Sequence, residues 1–317
     1  MSQERKSNLK KTWMPTASKQ TLRQRAAVLR TIREFFYARN VLEVDTPVLG
    51  ARTVTDPFIE SLQCNVSGLN YYLQTSPEYF MKRLLAADSG SIYQIGKVFR
   101  ADEQGRLHNP EFTMLEWYRV GFDCHQLMAE MDGLIQAVLG RSCADKICYQ
   151  DVFLGYLNID PLVIELNELK QFATDRQLAD AGYSDDKDDW LMLLFSQIIE
   201  PKLQHPTFVY DFPASQSALA KISQKDDRVA ERFELYIDGV ELANGFHELS
   251  DPIEQRRRFQ DNLRKRQQLD LPLPEIDEDF LSALEHGLPD CSGVALGLER
   301  LIMLACSKLS IAEVQGF

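Results

Sequence analysis

The stretch Val98–Arg119, VFRADEQGRLHNPEFTMLEWYR, decides how this 317-residue chain is read. An apolar strand ends on Arg100. A polar loop over 103–110 follows, and a second strand sets Phe112, Met114, Glu116 and Tyr118 at every other position. Side chains alternate in direction along a strand, so these four share one face, and Arg100 and Asp102 share one on the partner. If the two faces meet, a cleft gains a cation, two carboxylates, a flat ring and a phenol, with Arg106 and His108 on the loop. The plain alternative is a surface ion pair over a core aromatic, which contributes little. Five polar or aromatic groups in register favour a site for an anionic, planar ligand such as a nucleotide.

Outward from this hairpin, helical and strand patterns intersperse. Residues 1–20 read as a loose arm, and 21–317 as one domain. Leu22, Ala26, Leu29, Ile32 and Phe36 recur at steps of three and four, which predicts an amphipathic helix from Thr21. NVLEVDTPVLG predicts a strand stopped by Pro47. YYLQTSPEYFMKRLL reads as a strand running into a helix, with Ser76 as N-cap and Pro77 at the first helical position. A helix ends near Gly140, and residues 150–205 are helical with the acidic SDDKDD in a turn. TFVYDFP is a strand, and FELYIDGVELANGF a hairpin turned at Asp238-Gly239. A charged helix covers roughly 252–270, and CSGVALGLERLIMLAC is a strand feeding a helix. The class is α+β, an antiparallel sheet flanked by helices.

Composition excludes several functions. With 44% hydrophobic and 26% charged residues the chain is an ordinary globular protein. No apolar run reaches the length of a membrane span, and the polar, Lys-rich first twenty residues are no secretory signal, so a cytoplasmic location is expected. Six cysteines without C-x-x-C spacing read as reduced thiols, and five scattered histidines make structural zinc unlikely. A formal net charge of −12 disfavours a broad grip on nucleic acid. One local exception is the run Arg256, Arg257, Arg258, Arg264, Lys265 and Arg266. It is a solvated helix face by default, or a docking surface for an acidic partner.

Two further motifs carry chemistry. In VELANGFHEL, Glu241 and Glu248 are an odd number of residues apart, and a flat strand points them oppositely. Asn244-Gly245 between them is a turn or bulge signal that reverses the parity. Paired carboxylates near a phosphate site suit Mg²⁺; two solvated glutamates on a hairpin edge are the equal alternative. In GVALGLER, Gly293 and Gly297 free the backbone for close approach, and Arg300 falls in the first turn of the next helix. Its flat guanidinium stacks on a ring or binds phosphate.

FRADEQGRLHNPEFTMLEWY resembles motif 2 of the class II aminoacyl-tRNA synthetases, GVALGLERLIML motif 3, and NVLEVDTPVL motif 1, the dimer interface of that family. TSPEYFMKRLL and ELANGFHELSDPIEQ are similar to the lysine-specific subgroup. The resemblance implies a homodimer in which Arg100 bridges the substrate carboxylate and the ATP α-phosphate. It implies that Asp102 and Asn109, beside Ala101, hold the adenine side, that Phe112 and Arg300 sandwich the base, and that Arg106 and His108 reach the outer phosphates. Arg100 and Arg300 are the implied catalytic residues. Leu242 and Gly297 line the ATP pocket, and Glu241 and Glu248 carry Mg²⁺. Ser76, Pro77, Glu78, Tyr118 and Glu248 contact the amino acid, and Glu116 with Glu254 receives its side-chain ammonium. Two carboxylates facing one ammonium would select lysine, because an unpaired buried charge is costly.

Full lysyl-tRNA synthetases carry an N-terminal anticodon-binding barrel. Here motif 1 begins near residue 40, which leaves no room for a domain of ~100 residues. The chain is therefore similar to truncated paralogues that attach (R)-β-lysine to a lysine of translation elongation factor P. This makes a protein amine the expected acceptor and tRNA an unlikely one. Ala295 stands where the tRNA-charging enzymes usually have glycine; its methyl would favour a substrate whose amino group sits one carbon further out, and small-residue drift is the alternative. Asn40 replaces a frequent glycine of motif 1, and Asp102 a usual glutamate of motif 2. A minimal tRNA-charging or free-adenylate synthetase is the alternative, as is a non-catalytic amino-acid sensor. The sensor is expected to have lost motif arginines or metal carboxylates, yet Arg100, Arg300, Glu241 and Glu248 are all present.

Overall fold

The structure, a computed structural model, describes residues 13–101, 103–141 and 144–317; Asp102, Cys143 and residues 1–12 of the expected arm lie outside them. Helix α1 (Lys19–Tyr37) starts where Ser18 Oγ accepts the Thr21 amide at 3.1 Å, two residues before the expected start. It buries Val28, Ile32, Phe35 and Phe36. Phe36 stacks on Tyr93 at 4.5 Å between centroids and meets Trp117 edge-on. Asn40 then turns the chain at φ 53°, a left-handed conformation that glycine and asparagine tolerate best. This explains how asparagine can stand at that place.

NVLEVDTPVLG is not one strand. Pro47 separates β1 (Leu42–Glu43) from β2 (Leu49–Gly50), and the two join different sheets. Strand β2 edges a small sheet with β3 (Gln63–Val66) and β4 (Leu69–Leu73), in the order β2-β4-β3. Helix α2 (Glu78–Ala86) follows. Its cap position falls on Pro77, one residue after the expected Ser76, though Ser76 Oγ still accepts the Glu78 amide at 3.0 Å.

Strands β5 (Ile92–Phe99) and β6 (Glu111–Val120) form the expected antiparallel hairpin. Helix α3 (Cys124–Leu139) has a capping box at Asp123 and ends on left-handed Gly140. After β7 (Asp145–Cys148) come α4 (Tyr149–Leu157), α5 (Leu166–Asp175) and α6 (Lys187–Leu194), the last running on into a wide turn over Phe195–Ile199. Half of SDDKDD is helical, because Asp186 Oδ1 caps α6 by accepting the Asp188 amide at 3.0 Å. The chain closes with β8 (Thr207–Pro213), β9 (Val229–Ile237), β10 (Val240–His247), α7 (Pro252–Gln268), α8 (Glu278–Gly287), β11 (Cys291–Gly297) and α9 (Leu298–Ala305).

The main sheet has the order β1-β5-β6-β11-β10-β9-β8-β7. Its six central strands are antiparallel as expected; only the outer pairs, β1 with β5 and β7 with β8, run parallel. One face, with Leu115, Trp117, Phe233, Leu235, Val294 and Leu296, is covered by α1, α3 and α9. Over the other face, α4–α6 pack a separate core at the β8 end, and α2, α7 and α8 pack one at the β5 end. The middle of that face is left open, and the cleft lies there. Among the described residues no helix is long and apolar enough to cross a membrane, and five described cysteines are unpaired.

Gly245 of β10 shows how tightly the covered face is packed. A Cβ there would lie 2.7 Å from Phe233 Cζ and 2.7 Å from Val294 Cβ. Gly245→Ala is expected to cost roughly 1–3 kcal/mol, read as a lowered urea midpoint with unchanged slope.

Candidate active site

Strand register determines the floor of the cleft. Met114, Glu116 and Tyr118 of β6 lie opposite Gly297, Ala295 and Gly293 of β11. Beyond them Asn244 and Phe246 of β10 face Ala295 and Gly293, and Glu234 and Arg232 of β9 face Asn244 and Phe246. Large functional side chains thus rise beside a strip of small residues. A cavity of about 950 Å³ stands over this floor, walled by residues 54–59, α6 with its following turn, and α7. Of the expected site residues, Ser76, Glu78, Arg100, Glu116, Tyr118, Glu241, Glu248, Glu254 and Ala295 line it together.

At one end the walls are acidic and dry. Glu116 is buried, accepting from Ser76 Oγ at 2.7 Å and from the Tyr118 hydroxyl at 2.7 Å. Burial, with Glu78 nearby, pushes its carboxyl up to about 7. Burial also raises the Tyr118 phenol well above its usual range, which keeps it a neutral donor. Glu248 is raised by burial against the opposing pull of Lys82, whose Nζ lies 2.6 Å away. Pro77 is buried under the start of α2, where its carbonyl accepts the Met81 amide, and it does not line the cavity. Glu254 lines the cavity but is not free to pair with Glu116. Arg257 and Arg258 of its own helix hold it, at 2.7 and 2.9 Å, and depress its carboxyl to about 2.

At the other end Arg100 and Glu241 line the cavity, while Arg300, His108, Phe112 and Gly297 lie beside them outside its lining. Arg100 faces the cavity with its carbon 5.3 Å over the Phe112 ring, one nitrogen 3.0 Å from Glu103, and Nε buried without a partner. Arg300 donates to the carbonyls of Glu241 at 2.7 Å and Leu107 at 3.3 Å, and to His108 Nε2 at 2.7 Å. Burial, then Arg300, holds His108 below the usual imidazole range. Gly297 packs against Arg300: a Cβ there would make ordinary contact with its Cδ at 3.7 Å. Arg106 and Asn109 are turned to the C-terminal segment, donating to Leu309 O at 2.9 Å and Gln315 Oε1 at 3.1 Å, and neither lines the cavity. Ala101 does not line it either; its amide is tied to Glu60 O at 2.9 Å. Leu242 is a core residue packed under the sheet, so it can line an ATP pocket only through its backbone.

The parity problem of β10 is solved by a bulge, but between Glu241 and Ala243 and not at Asn244-Gly245. Glu241 and Glu248 do share the cleft face. They are nevertheless seven residues apart along the strand, roughly 20 Å, too far for one ion. Glu248 is moreover ion-paired through Oε2 with Lys82 at the acidic end, so Glu241 is the carboxylate left beside the guanidinium groups. Among the described residues no cluster of three or more metal-ligating side chains occurs. Glu241 still fits a divalent cation, which takes one or two carboxylates and completes its shell with phosphates and water. Its carboxylate is part-exposed and 3.8 Å from Arg300, and together with burial it pushes neighbouring Glu200 up to about 7. That surplus of negative charge is what a cation relieves.

The basic run on α7 is not a free cationic face. Arg256 pairs with Glu278, Arg258 with Glu254, Arg257 and Arg264 with Asp261, Lys265 with Asp186, and buried Arg266 with Glu60. Residues the sequence reading passed over also enter the site. Arg232 and Glu234 stand at alternate positions of β9, a signal present in ERFELYI. Lys82 follows Glu78 by four residues, the helical ion-pair spacing. Glu200 carried no such signal.

A long antiparallel sheet with arginines and carboxylates on one face is the frame of a class II synthetase. Residues 4–317 match the family of class II tRNA synthetases (D, K and N), and the chain belongs to it. Among its relatives are proteins named elongation factor P–(R)-β-lysine ligase. The one from Vibrio cholerae serotype O1 is 55% identical over 314 residues, covering 96% of this chain and 97% of the relative. Those from Edwardsiella ictaluri and Photorhabdus laumondii are 51% and 50% identical, each with 96% of this chain and 97% of the relative covered.

A ligand ammonium placed at Glu116 needs the ionised carboxylate, so binding must expel any proton held there. Below its raised value of about 7 the group is mostly protonated, and above it ionised. Affinity for lysine is therefore expected to rise by up to about tenfold per unit between pH 5 and 7 and to level off above. Calorimetry at pH 6.5 in buffers of different ionisation enthalpy should show proton release; uptake or none would contradict this placement.

Proposed function

We propose that this protein activates (R)-β-lysine, or lysine, with ATP and transfers it to a lysine ε-amine of translation elongation factor P. The observation that carries the reading is one continuous cavity joining a buried, carboxylate-lined end to an end lined by Arg100 and Glu241, with Arg300 donating to the Glu241 carbonyl from outside the lining. The first end suits a diamino acid and excludes neutral ones, because its carboxylates stay unpaired without an ammonium. The second suits a triphosphate. The relatives' names agree with both substrate and acceptor.

In the first step a carboxylate oxygen of the amino acid bonds to the α-phosphorus of ATP and pyrophosphate leaves. No enzyme nucleophile is required; the two anions must be held in line and the charge on phosphorus balanced. Arg100 lines the cavity with a buried Nε that has no partner, which supports a role in holding both anions. Arg300 is held rigid by two carbonyls and is set to bind the nucleotide. A Mg²⁺ at Glu241 would supply further neutralisation of the phosphates. In the second step the acceptor amine attacks the carbonyl carbon of the adenylate and AMP departs, with a proton lost from nitrogen. Ala295, on the floor opposite Glu116, puts its methyl beside the substrate backbone, which fits an amino group displaced by one carbon.

A second copy of the chain belongs to this reading. Between residues 37 and 49 the surface exposes Tyr37 (86%), Leu42 (56%), Val48 and Leu49, and β1 is the two-residue edge of the main sheet. An apolar segment on a sheet edge favours pairing with another chain.

Purified protein should catalyse lysine- or β-lysine-dependent pyrophosphate exchange and pass label to elongation factor P and not to tRNA. Label on tRNA alone would reverse the acceptor assignment. Arg300→Ala should lower kcat of exchange about 10²–10³-fold. Light scattering should report a dimer, and Leu42→Asp should shift it toward monomer; a wild-type monomer at micromolar concentration would remove the second copy.

A further inference from the structure

Lys82 is wholly buried (0% exposed) behind the acidic end of the cavity. Its Nζ lies 2.6 Å from Glu78 Oε1, on its own helix, and 2.6 Å from Glu248 Oε2, beyond the end of β10. Its other surroundings are apolar, with the Phe246 and Phe280 rings 5.7 and 5.9 Å away. A lysine in such a place is cationic only because carboxylates hold it so. The dependence is mutual. Glu248 is 1% exposed, neither of its oxygens has a hydrogen-bond partner, Oε2 meeting Lys82 as an ion pair only, and Oε1 lies so close to Gly293 that a Cβ there would overlap it. A buried carboxylate oxygen left without a donor, in the lining of a cavity, is directed at something the cavity receives.

We infer that Lys82 is a positioning residue for amino-acid selection: its ammonium ties Glu78 to Glu248, aims the free oxygen of Glu248 at a substrate ammonium, and sets the charge of the pocket. Glu78, Glu116 and Glu248 bring three carboxylates to this end. Lys82 cancels one and leaves two, one for each ammonium group of lysine or β-lysine. The inference rests on the lysine-activating reading given above.

The test measures KM for ATP and for the amino acid by pyrophosphate exchange in Lys82→Met, Glu248→Gln and the double variant. Lys82→Met should raise the amino-acid KM by about 30-fold or more and leave the ATP KM within about twofold. In the double variant the carboxylate that Lys82 aims is already gone, so Lys82→Met should change the amino-acid KM of Glu248→Gln by less than about twofold. A merely structural lysine would shift both KM values together and by the same factor in either background. An amino-acid KM raised by less than about threefold in Lys82→Met, a parallel rise for ATP, or an equal further rise in the double variant would each overturn the inference. Should Lys82→Met fail to fold, the comparison runs between Glu248→Gln and the double variant, where a higher amino-acid KM in the double is the overturning result. Wild-type protein that exchanges pyrophosphate with no lysine isomer would remove the reaction itself. Wild-type exchange with an indifferent Lys82→Met would remove only the role of Lys82.

Discussion

Everything in the cleft depends on which residues the central strands place side by side. Opposite Met114, Glu116 and Tyr118 stand Gly297, Ala295 and Gly293, so one strand supplies the functional side chains and its neighbour the room they need. A slip of one residue between β6 and β11 would turn Trp117 and Leu115 into the cleft and Glu116 into the core. The covered face resists that slip. Leu115, Trp117, Val294 and Leu296 pack against α1, α3 and α9, and Gly245 has no space for even one methyl. The site is precise because the opposite side of the same sheet cannot move.

Electrostatics divides the cavity into two ends with opposite needs. Guanidinium groups gather where Arg300 reaches back to the carbonyls of Glu241 and Leu107, and carboxylates gather around Glu116. Burial makes each acidic group reluctant to ionise alone, and the network relieves this with Lys82, the Ser76 hydroxyl and the Tyr118 phenol. Such a pocket discriminates by charge as much as by shape. A ligand lacking an ammonium leaves anions stranded in a dry site, which costs far more than a lost contact. The wall provided by α7 has the same economy of charge, its arginines being consumed by neighbouring carboxylates.

Much of this was legible beforehand, and for a physical reason. Period-two alternation in EFTMLEWY and period-three-to-four spacing after Thr21 are local properties, and both elements formed as read. Asp238-Gly239 turned its hairpin, with Asp238 and Gly239 both in the left-handed region. The errors fall where local signals competed. Pro47 did not merely stop a strand but passed the chain to a second sheet. The bulge in β10 formed beside Leu242, because that side chain is taken into the core, and not at the glycine that advertised flexibility.

The sequence alone determined the family, the strand faces and the chemical types at the site, since these follow from side-chain alternation and from motifs contiguous in the chain. Only the tertiary structure decided which charges meet. Glu254 was drawn to Arg257 and Arg258, Glu248 to Lys82 on another element, and Arg106 to the C-terminal segment. Ion pairing acts over a few ångströms between residues that may be hundreds apart in the chain. No local pattern can state its outcome, because the partner is chosen only when the elements have packed.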